Sequence, residues 1–195
     1  MPRLRSGASG RRRGRLILVI GGASSGKSRV ALELAGTEEK RAFVATGQAL
    51  DDEMAERISR HRATRDAGWD TAEVPIELIA WFEDKGANYR TIVLDCVTLW
   101  LANLQGRGVS NRDVPPRVSA LVQAIRRTAA RVVVVTNELG LGLVPADARS
   151  RRFREMAGQT NQHLACEADE VYMVLSGLPV RLKPSESFRP TGVSR

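Results

Sequence analysis

The chain is poor in cysteine and histidine and contains no long apolar run. Cys96 and Cys166 are its two cysteines, and they have neither the paired spacing of a zinc site nor the density of a secreted disulfide scaffold. We expect both to be reduced packing residues. No run of apolar residues is long enough to cross a bilayer, and the N-terminal arginines are not followed by a secretory signal. These absences predict a cytoplasmic protein without a membrane span.

The net charge of +8 is distributed unevenly along the chain. Six arginines and no acidic residue precede residue 16, so the rest of the chain has a surplus of only two positive charges. A surplus of this size does not require a polyanionic partner, and we expect no nucleic acid to bind. We interpret residues 1–15 as a disordered basic leader, residues 16–183 as a single domain, and residues 184–195 as a flexible tail.

Short runs of apolar, β-branched residues recur along the chain and predict buried strands. The runs are continuous rather than alternating, as strands covered on both faces require, and stretches with helical periodicity separate most of them. This pattern predicts an α/β fold with a mostly parallel sheet and helices on both faces. The predicted strands are 15–20, 41–46, 91–96, 131–136 and 171–176, with a short edge strand in 177–183.

Helical periodicity occurs between the predicted strands. The first helix should end at Gly36, and another should begin at the two prolines that a first helical turn tolerates. The last helix has an apolar face with a weak point at Gly158. The predicted helices cover residues 27–36, 51–65, 115–130 and 149–168.

The segment "GGASSGKS" follows the first predicted strand and precedes a predicted helix. It matches the pattern G-x-x-x-x-G-K-[ST], in which glycines let backbone N–H groups surround phosphates. Lys27 would neutralise terminal phosphate oxygens, and the Ser28 hydroxyl would bind Mg²⁺. A glycine-rich turn with a chance lysine is the alternative, which the strand and helix on either side disfavour. We predict nucleotide contacts at Gly21, Gly22, Ala23, Ser24, Ser25, Gly26, Lys27 and Ser28.

A phosphate loop needs a carboxylate for the metal or its waters, and the end of another apolar strand usually supplies it. Asp95 lies at the end of one predicted strand and Glu138 follows another, and their spacing alone does not rank them. An aspartate at a strand end can also simply cap a turn. We predict that Ser28 and Asp95 hold Mg²⁺ together with the nucleotide.

The segment "DDEMAERISRHRATR" is an amphipathic helix in which apolar residues repeat at helical spacing up to Ile58. His61 lies one turn further, between Arg57 and Arg65. Nearby cations keep an imidazole neutral, as a nucleophile requires. The alternative is a surface histidine on an ordinary basic helix. We expect His163, the other histidine, to be an exposed helix residue.

Five segments resemble, in order and spacing, the bifunctional adenosylcobinamide kinase and adenosylcobinamide-phosphate guanylyltransferase family of cobalamin biosynthesis. The phosphate loop is shared by many NTPases, whereas the histidine helix followed by W-x-T-x-E-x-P and "TNELGLGLVP" is far more specific. The resemblance extends over about residues 16–183. The segments are "GGASSGKS", "VATGQALDDEMAERISRHRATRDAGWDTAEVP", "VLDCVTLWLANL", "VVVVTNELGLGLVP" and "RRFREMAGQTNQHLACEADEVYMVLSGLPVRLK".

The resemblance implies a RecA-like P-loop sheet and two reactions on one substrate. ATP or GTP phosphorylates the aminopropanol hydroxyl of adenosylcobinamide, and GMP is then transferred from GTP to that phosphate. His61 matches the histidine that attacks the α-phosphorus of GTP, so His61 and Lys27 are the predicted catalytic residues. The resemblance also implies a homo-oligomer, such as a trimer, with sites near subunit boundaries.

The resemblance implies further nucleotide contacts, whereas Trp69 and Thr71 should only hold their segment in place. Two positions depart from the family pattern, because Ser24 replaces a usual arginine and Gly47 a common serine. The missing cation at position 24 puts the kinase step and the nucleotide preference in question. The further predicted contacts are Ala45, Thr46, Gly47, Arg62, Ala63, Thr64, Arg65, Glu73 and Asp95.

Two other functions fit parts of the sequence. A P-loop small-molecule kinase without a covalent intermediate would use Lys27 and Asp95 and would have no use for His61. A nucleotide-dependent switch or nucleic-acid-binding ATPase would use the phosphate loop and the arginine-rich leader.

Overall fold

The computed structural model of the protein describes residues 13–49, 51–63 and 66–183. The predicted tail, 184–195, and most of the predicted leader lie outside the described residues. The strands are β1 (Arg15–Gly21), β2 (Arg41–Ala45), β3 (Trp69–Glu73), β4 (Thr91–Asp95), β5 (Arg131–Asn137), β6 (Glu170–Leu175) and β7 (Leu178–Lys183). The helices are α1 (Lys27–Ala35), α2 (Asp52–Ala63), α3 (Leu78–Lys85), α4 (Val97–Gly106), α5 (Val114–Arg127) and α6 (Ala148–Glu167).

Within the described part of the chain, seven strands form one sheet in the order β3-β2-β4-β5-β1-β6-β7. All neighbouring strands are parallel except β6 and β7, which are antiparallel. The predicted mostly parallel α/β sheet is confirmed, and so is the short edge strand at its end. Parallel pairing places the loops that follow β1, β2, β4 and β5 at one edge of the sheet, where ligands bind in this architecture.

The central strands are apolar on both faces because helices cover both faces. β1 is buried from Leu16 onward, and the valines of β5 are buried throughout. On one face, α3, α4, α5 and α6 pack in a core that contains Trp100. On the other face, α1 packs through Val30 and Ala31. The continuous apolar runs in the sequence therefore reflect burial from two sides.

Among the described residues, one strand and two α-helices were not predicted by the sequence analysis. β3 is an edge strand with mostly exposed residues, so it has no apolar run. Trp69 connects it to β2, because its ring packs edge to face on Phe43 with centroids 6.3 Å apart and contacts the Arg41 guanidinium. α3 is short, and α4 is apolar on most of its surface, so neither shows a clear amphipathic stripe.

The predicted helices are confirmed, with small differences at their ends. α1 is followed by Gly36 with a φ of 74°, and α6 continues without a break through Gly158. The prediction that His163 is exposed was wrong, because α5 packs on α6 and Ser119 Oγ lies 3.4 Å from His163 Nε2. The expectation that Cys166 is a packing residue was also wrong, since it is exposed.

Asp169, just before β6, connects three elements at the opposite edge of the sheet. Its carboxylate accepts a hydrogen bond from the Leu16 N–H at 2.7 Å and pairs with the guanidinium of Arg126 from α5. Partial burial raises the pKa of Asp169, but the hydrogen bonds from Arg126 and Leu16 outweigh this effect, so its pKa is lowered overall. The ionised carboxylate therefore stabilises the contact between β1, β6 and α5.

We expect Asp169→Asn to lower the free energy of unfolding at pH 7 by about 1 kcal/mol, a low value because the side chain is 41% exposed. Because the folded-state pKa is lowered, the carboxylate contributes its full stability above the unfolded pKa of about 3.9. That contribution is lost as the pH falls through the folded-state pKa. Urea unfolding between pH 7 and pH 3 should therefore show a weaker pH dependence in the variant. Asp84→Asn, at an exposed pair, is the control, and an unchanged pH dependence in Asp169→Asn would contradict the assignment.

Candidate nucleotide-binding site

The loop between β1 and α1 requires glycine at the first and last glycine positions of the motif. A Cβ on Gly21 would lie 2.5 Å from Ser25 Oγ and 2.8 Å from the Val174 carbonyl oxygen, so no larger residue fits. Gly26 has a φ of 89°, in the left-handed region that favours glycine. The spacing of the motif therefore has a steric basis in the contact between the loop and β6.

Lys27 lies inside the loop at the first turn of α1. It is only 6% exposed, and its Nζ donates a hydrogen bond to the Gly22 carbonyl at 2.9 Å. The N-terminus of α1 adds backbone N–H groups and the positive end of the helix dipole. Ser28 is half-buried in the same turn, whereas Ala23 and Ser24 are exposed. Backbone N–H groups and an ammonium thus converge here, as in an anion-binding site.

The turn between β6 and β7 packs against the phosphate loop. Gly177 N–H donates to the Ser25 carbonyl at 2.8 Å, and Arg29 Nη2 donates to the Gly177 carbonyl at 2.7 Å. Gly177 has a φ of 82°, and its Cα lies 3.2 Å from the place where a Cβ on Gly26 would be. Sequence reasoning missed this contact because it joins segments that are far apart in the chain.

The two candidate carboxylates lie on neighbouring strands at the same edge. Asp95 ends β4 opposite Val135 of β5, and β5 separates β4 from β1. Asp95 is therefore two strand spacings from the phosphate-loop strand, roughly 10 Å. Glu138 N–H donates to the Gly21 carbonyl at 2.9 Å, while its carboxylate accepts the N–H of Gly140. Because the Glu138 carboxylate is engaged in its own loop, the geometry favours Asp95 for the metal.

Thr46 and Cys96 connect β2 to β4 directly beside Asp95. The buried Thr46 hydroxyl donates to the Cys96 carbonyl at 2.7 Å and accepts the Cys96 N–H at 2.9 Å. Burial raises the pKa of the Cys96 thiol to about 12, and the negative charge of Asp95 adds to this effect, while Lys27 opposes it. The thiol stays protonated and buried, as expected of a packing residue. Ala45 ends β2 opposite Asp95, so the ends of β2 and β4 are level.

α4 connects the loops that follow β2 and β3. Asn103 Nδ2 donates to the carbonyls of Thr46 at 2.8 Å and Pro75 at 3.0 Å, and Trp100 Nε1 donates to the Ile76 carbonyl at 2.8 Å. The Thr46 N–H also donates to the Asp95 carbonyl at 3.1 Å, so its hydroxyl, N–H and carbonyl all bond to protein groups. Thr46 thus holds β2 against β4 and α4, and its predicted contact with nucleotide stays a prediction. Sequence reasoning missed Asn103, although a single amide on an otherwise apolar segment was a usable signal.

A ring of buried polar groups determines where β5 ends. The hydroxyls of Thr98 and Thr136 lie 3.1 Å apart, and Thr136 donates to Asn161 Oδ1 of α6 at 2.8 Å. Asn161 Nδ2 donates to the Asn137 carbonyl at 2.9 Å, and the Asn137 N–H donates to Thr98 Oγ1 at 2.8 Å. Because each of these buried polar groups has a partner, the ring positions α4, β5 and α6 relative to one another.

α2 lies over the same edge of the sheet as the phosphate loop. A Cβ on Gly47 would be 3.5 Å from Leu99 Cδ1 and 3.8 Å from Ile58 Cδ1, so α2 covers the loop after β2. Both are ordinary contact distances, and the serine that is common in the family would fit there. Arg62 forms an ion pair with Glu73 at the end of β3, which brings two predicted nucleotide residues together.

His61 lies in α2 one turn after Ile58, but its side chain lies outside the described part of the chain. The same is true of the Ala63 side chain and of Thr64 and Arg65 entirely. β2, which leads to α2, is three strand spacings from β1, roughly 14 Å. The structure therefore places α2 and the phosphate loop at one edge, with β4 and β5 between them.

The described residues fit a magnesium ion that is held mainly by a nucleotide. Among them, no group of three or more His, Cys, Asp or Glu side chains could enclose a metal. The Ser28 hydroxyl and the Asp95 carboxylate are hard oxygen donors at the correct edge. Mg²⁺ usually binds through one or two such groups together with substrate phosphates and waters, which agrees with this donor set.

A phosphate loop between a parallel strand and a helix, with a carboxylate two strands away, is the arrangement of a P-loop nucleotide-binding protein of the α/β class. None of the helices in residues 13–183, as far as they are described, is both long and apolar enough to span a membrane. The model of the cobinamide kinase / cobinamide phosphate guanyltransferase family matches residues 17–182, and the chain belongs to this family. The family that the motifs indicated is confirmed.

Curated relatives match over nearly their whole length. The chain is 42% identical over 180 residues to the bifunctional adenosylcobalamin biosynthesis protein CobU of Salmonella typhimurium, covering 86% of this chain and 99% of that protein. It is 40% identical over 171 residues to the bifunctional adenosylcobalamin biosynthesis protein CobP of Pseudomonas aeruginosa, covering 85% and 96%. Among solved structures, the KaiC-like protein PH0186 of Pyrococcus horikoshii aligns with a TM-score of 0.49 and 13% identity, over 83% of this chain and 71% of that one.

Gly177→Ala tests whether the β6–β7 turn supports the phosphate loop. Alanine at positive φ costs about 1 kcal/mol, and a shift of the turn would release the Ser25 carbonyl. We expect the dissociation constant for nucleotide to rise about fivefold, measured by isothermal titration calorimetry. Gly108→Ala is the matched control, because Gly108 has a φ of 79° and open space around its Cβ position. Equal nucleotide affinities in the two variants would show that the turn does not act on the loop.

Proposed function

We propose that the protein phosphorylates adenosylcobinamide with ATP or GTP and then transfers GMP from GTP to the new phosphate. Membership of the cobinamide kinase / cobinamide phosphate guanyltransferase family supports both activities. The names of the curated relatives, which describe bifunctional proteins, agree with this proposal. The observation that carries it is that one chain combines a complete phosphate loop with a histidine-bearing helix at the same edge of the sheet.

In the kinase reaction, this chain supplies charge neutralisation and alignment. Lys27 and the N–H groups of the loop bind the phosphates, and Ser28 and Asp95 would hold Mg²⁺. When bound, the metal neutralises charge on the phosphate oxygens. Ser24 is exposed and uncharged where the family has an arginine, so this chain relies more heavily on Lys27. The acceptor hydroxyl oxygen attacks the γ-phosphorus, the bond from that phosphorus to the bridging oxygen breaks so that the nucleoside diphosphate leaves, and the hydroxyl proton is released to solvent.

In the guanylyl reaction, His61 acts as the nucleophile. A ring nitrogen forms a bond to the α-phosphorus of GTP, and pyrophosphate leaves. A phosphate oxygen of the acceptor then attacks the same phosphorus, and the imidazole leaves without its GMP. Two displacements replace one difficult attack of a phosphate monoester on an anionic triphosphate. Arg62, oriented by its ion pair with Glu73, offsets charge beside the bound GMP.

The geometry requires GTP to reach from the phosphate-loop side of the edge toward α2. The floor between them consists of Asp95 at the end of β4 and the polar ring of Thr98 from α4, Thr136 and Asn137 from β5, and Asn161 from α6. We propose that the triphosphate extends over this floor. The α-phosphorus would then lie nearer α2 than the γ-phosphorus does.

Loss of His61 should abolish covalent labelling. Protein mixed with α-labelled GTP and Mg²⁺ should retain label that is acid-labile and base-stable, as a phosphoramidate is, and His61→Ala should retain none. The matched control is His163→Ala, which removes the other histidine of the chain and should keep full labelling. Retention of label by His61→Ala would refute the assignment of the nucleophile.

The kinase reaction should survive this substitution. In His61→Ala, transfer from γ-labelled ATP or GTP to adenosylcobinamide should continue, because Lys27 and Asp95 are unchanged. Lys27→Ala should instead reduce this transfer by at least 10²-fold, the scale for loss of one preorganised charge at a transferring phosphate. If the parent protein transfers γ-label but never retains α-label, it is a kinase without a covalent intermediate.

Asp95→Asn and Glu138→Gln should have unequal effects on the kinase reaction. We expect Asp95→Asn to lower kcat about 10²-fold and to raise the Mg²⁺ concentration needed for half-maximal rate, because a neutral amide binds Mg²⁺ more weakly. Glu138→Gln retains an oxygen that can accept the Gly140 N–H, so the Mg²⁺ dependence should stay close to that of the parent. A larger Mg²⁺ shift in Glu138→Gln would reverse the ranking of the two carboxylates.

A further inference from the structure

The loop between β5 and α6, residues 138–147, holds apolar side chains in water. Leu141 is 78% exposed, Leu143 is 97% exposed and Val144 is 72% exposed. Exposed apolar side chains that cluster in one short segment mark a binding surface more often than scattered ones do. This loop contains the "ELGLGLVP" part of the motif that best distinguishes the family, and neither proposed reaction yet uses it.

Hydrogen bonds to α6 determine the shape of this loop. Arg151 Nη1 donates to the carbonyls of Pro145 at 3.0 Å and Ala146 at 2.6 Å. Arg154 Nη1 donates to the Leu143 carbonyl at 3.1 Å, and its Nη2 donates to the Gly140 carbonyl. At the end of the loop, the Asp147 carboxylate caps α6 by accepting the Ser150 N–H at 2.8 Å. The backbone is therefore ordered while the leucine side chains point into solvent.

The loop begins at the phosphate-binding site. Glu138, its first residue, donates its N–H to the Gly21 carbonyl at 2.9 Å, and Gly21 is the first residue of the phosphate loop. The polar ring around Asn137 and Asn161 joins the end of β5 to α6 just before the loop starts. A molecule on the apolar side chains can therefore extend an arm along the loop toward a nucleotide phosphate.

A cleft of about 520 Å³ lies between the loop and α6. Val144 forms part of its apolar wall, and Gly158 leaves it open because nothing lies within 4 Å of a Cβ at that position. The side chains of Gln159 and Gln162 supply amide donors and acceptors on the same wall. The surface thus combines apolar contact with amide recognition.

We propose that loop 138–147 and the adjoining face of α6 bind the corrin ring of the acceptor, an inference that rests on the proposed function. A corrinoid is a broad macrocycle with methyl groups at its edge and several carboxamide arms. Methyl groups match Leu141, Leu143 and Val144, and carboxamides match the glutamines and arginines of α6. When the corrin ring binds at loop 138–147, the aminopropanol arm can extend past Glu138 and reach the phosphate loop.

The test uses the Leu141→Ser/Leu143→Ser double variant of the full chain. Loss of two apolar contacts should raise the KM for adenosylcobinamide in the kinase reaction by roughly tenfold or more, with little change in the KM for nucleotide. Equilibrium dialysis should show the same weakening of adenosylcobinamide binding. The matched control is Leu182→Ser, an exposed leucine at the far end of β7, which should leave both values unchanged.

Two further measurements separate this inference from the proposed function. Covalent labelling by α-labelled GTP needs no acceptor, so its absence in the parent protein would overturn the guanylyl reaction whatever the loop does. Unchanged adenosylcobinamide binding in the double variant would overturn the inference while labelling persists. A lower oligomer mass in sedimentation with unchanged binding would also overturn it, because the loop would then be a contact between copies. If the double variant fails to fold, hydrogen exchange of the parent decides, and adenosylcobinamide must slow exchange in 138–147.

Discussion

Parallel pairing of β1 with β5, and of β5 with β4, is the constraint on which the site depends. It brings the residues that follow three separate strands to one edge, although they are far apart in the chain. We propose that phosphate groups bind there without a dedicated pocket of side chains, because the N-terminus of α1 and the turns of the loop present N–H groups together. The residues that follow these strands then need only be positioned. Hydrogen bonds from buried hydroxyls and amides position them.

The same edge can be divided by function. In the proposed reactions, phosphate recognition lies over β1, metal binding over β4, and the histidine-bearing helix over the loop after β2. Under this proposal, neighbouring positions of one sheet serve two reactions, and the product of the first is the substrate of the second. In this scheme a phosphorylated acceptor would have only to turn along the edge to meet the guanylylated histidine, and we propose this short path as the physical advantage of combining the two reactions in one chain.

Local signals predicted the parts of the structure that depend on local chemistry. The phosphate loop, the continuous apolar strands and α1 follow from adjacent residues, so they could be predicted, and the order of motifs indicated the family. The contact of Gly177 with the loop and the hydrogen bonds of Asn103 depend on tertiary packing, so no periodicity reports them. β3 was not predicted because an exposed edge strand needs no apolar run. His163 was placed wrongly because the partner that covers it, Ser119, lies on another helix.

The most direct test of the account is the stereochemical course of GMP transfer. GTP carrying a chiral α-thiophosphate would be supplied with adenosylcobinamide phosphate, and the configuration at phosphorus in the product would be determined. Each in-line displacement inverts phosphorus, so passage through His61 requires two inversions and predicts retention of configuration. Net inversion would show that the acceptor attacks GTP directly and would contradict the covalent route.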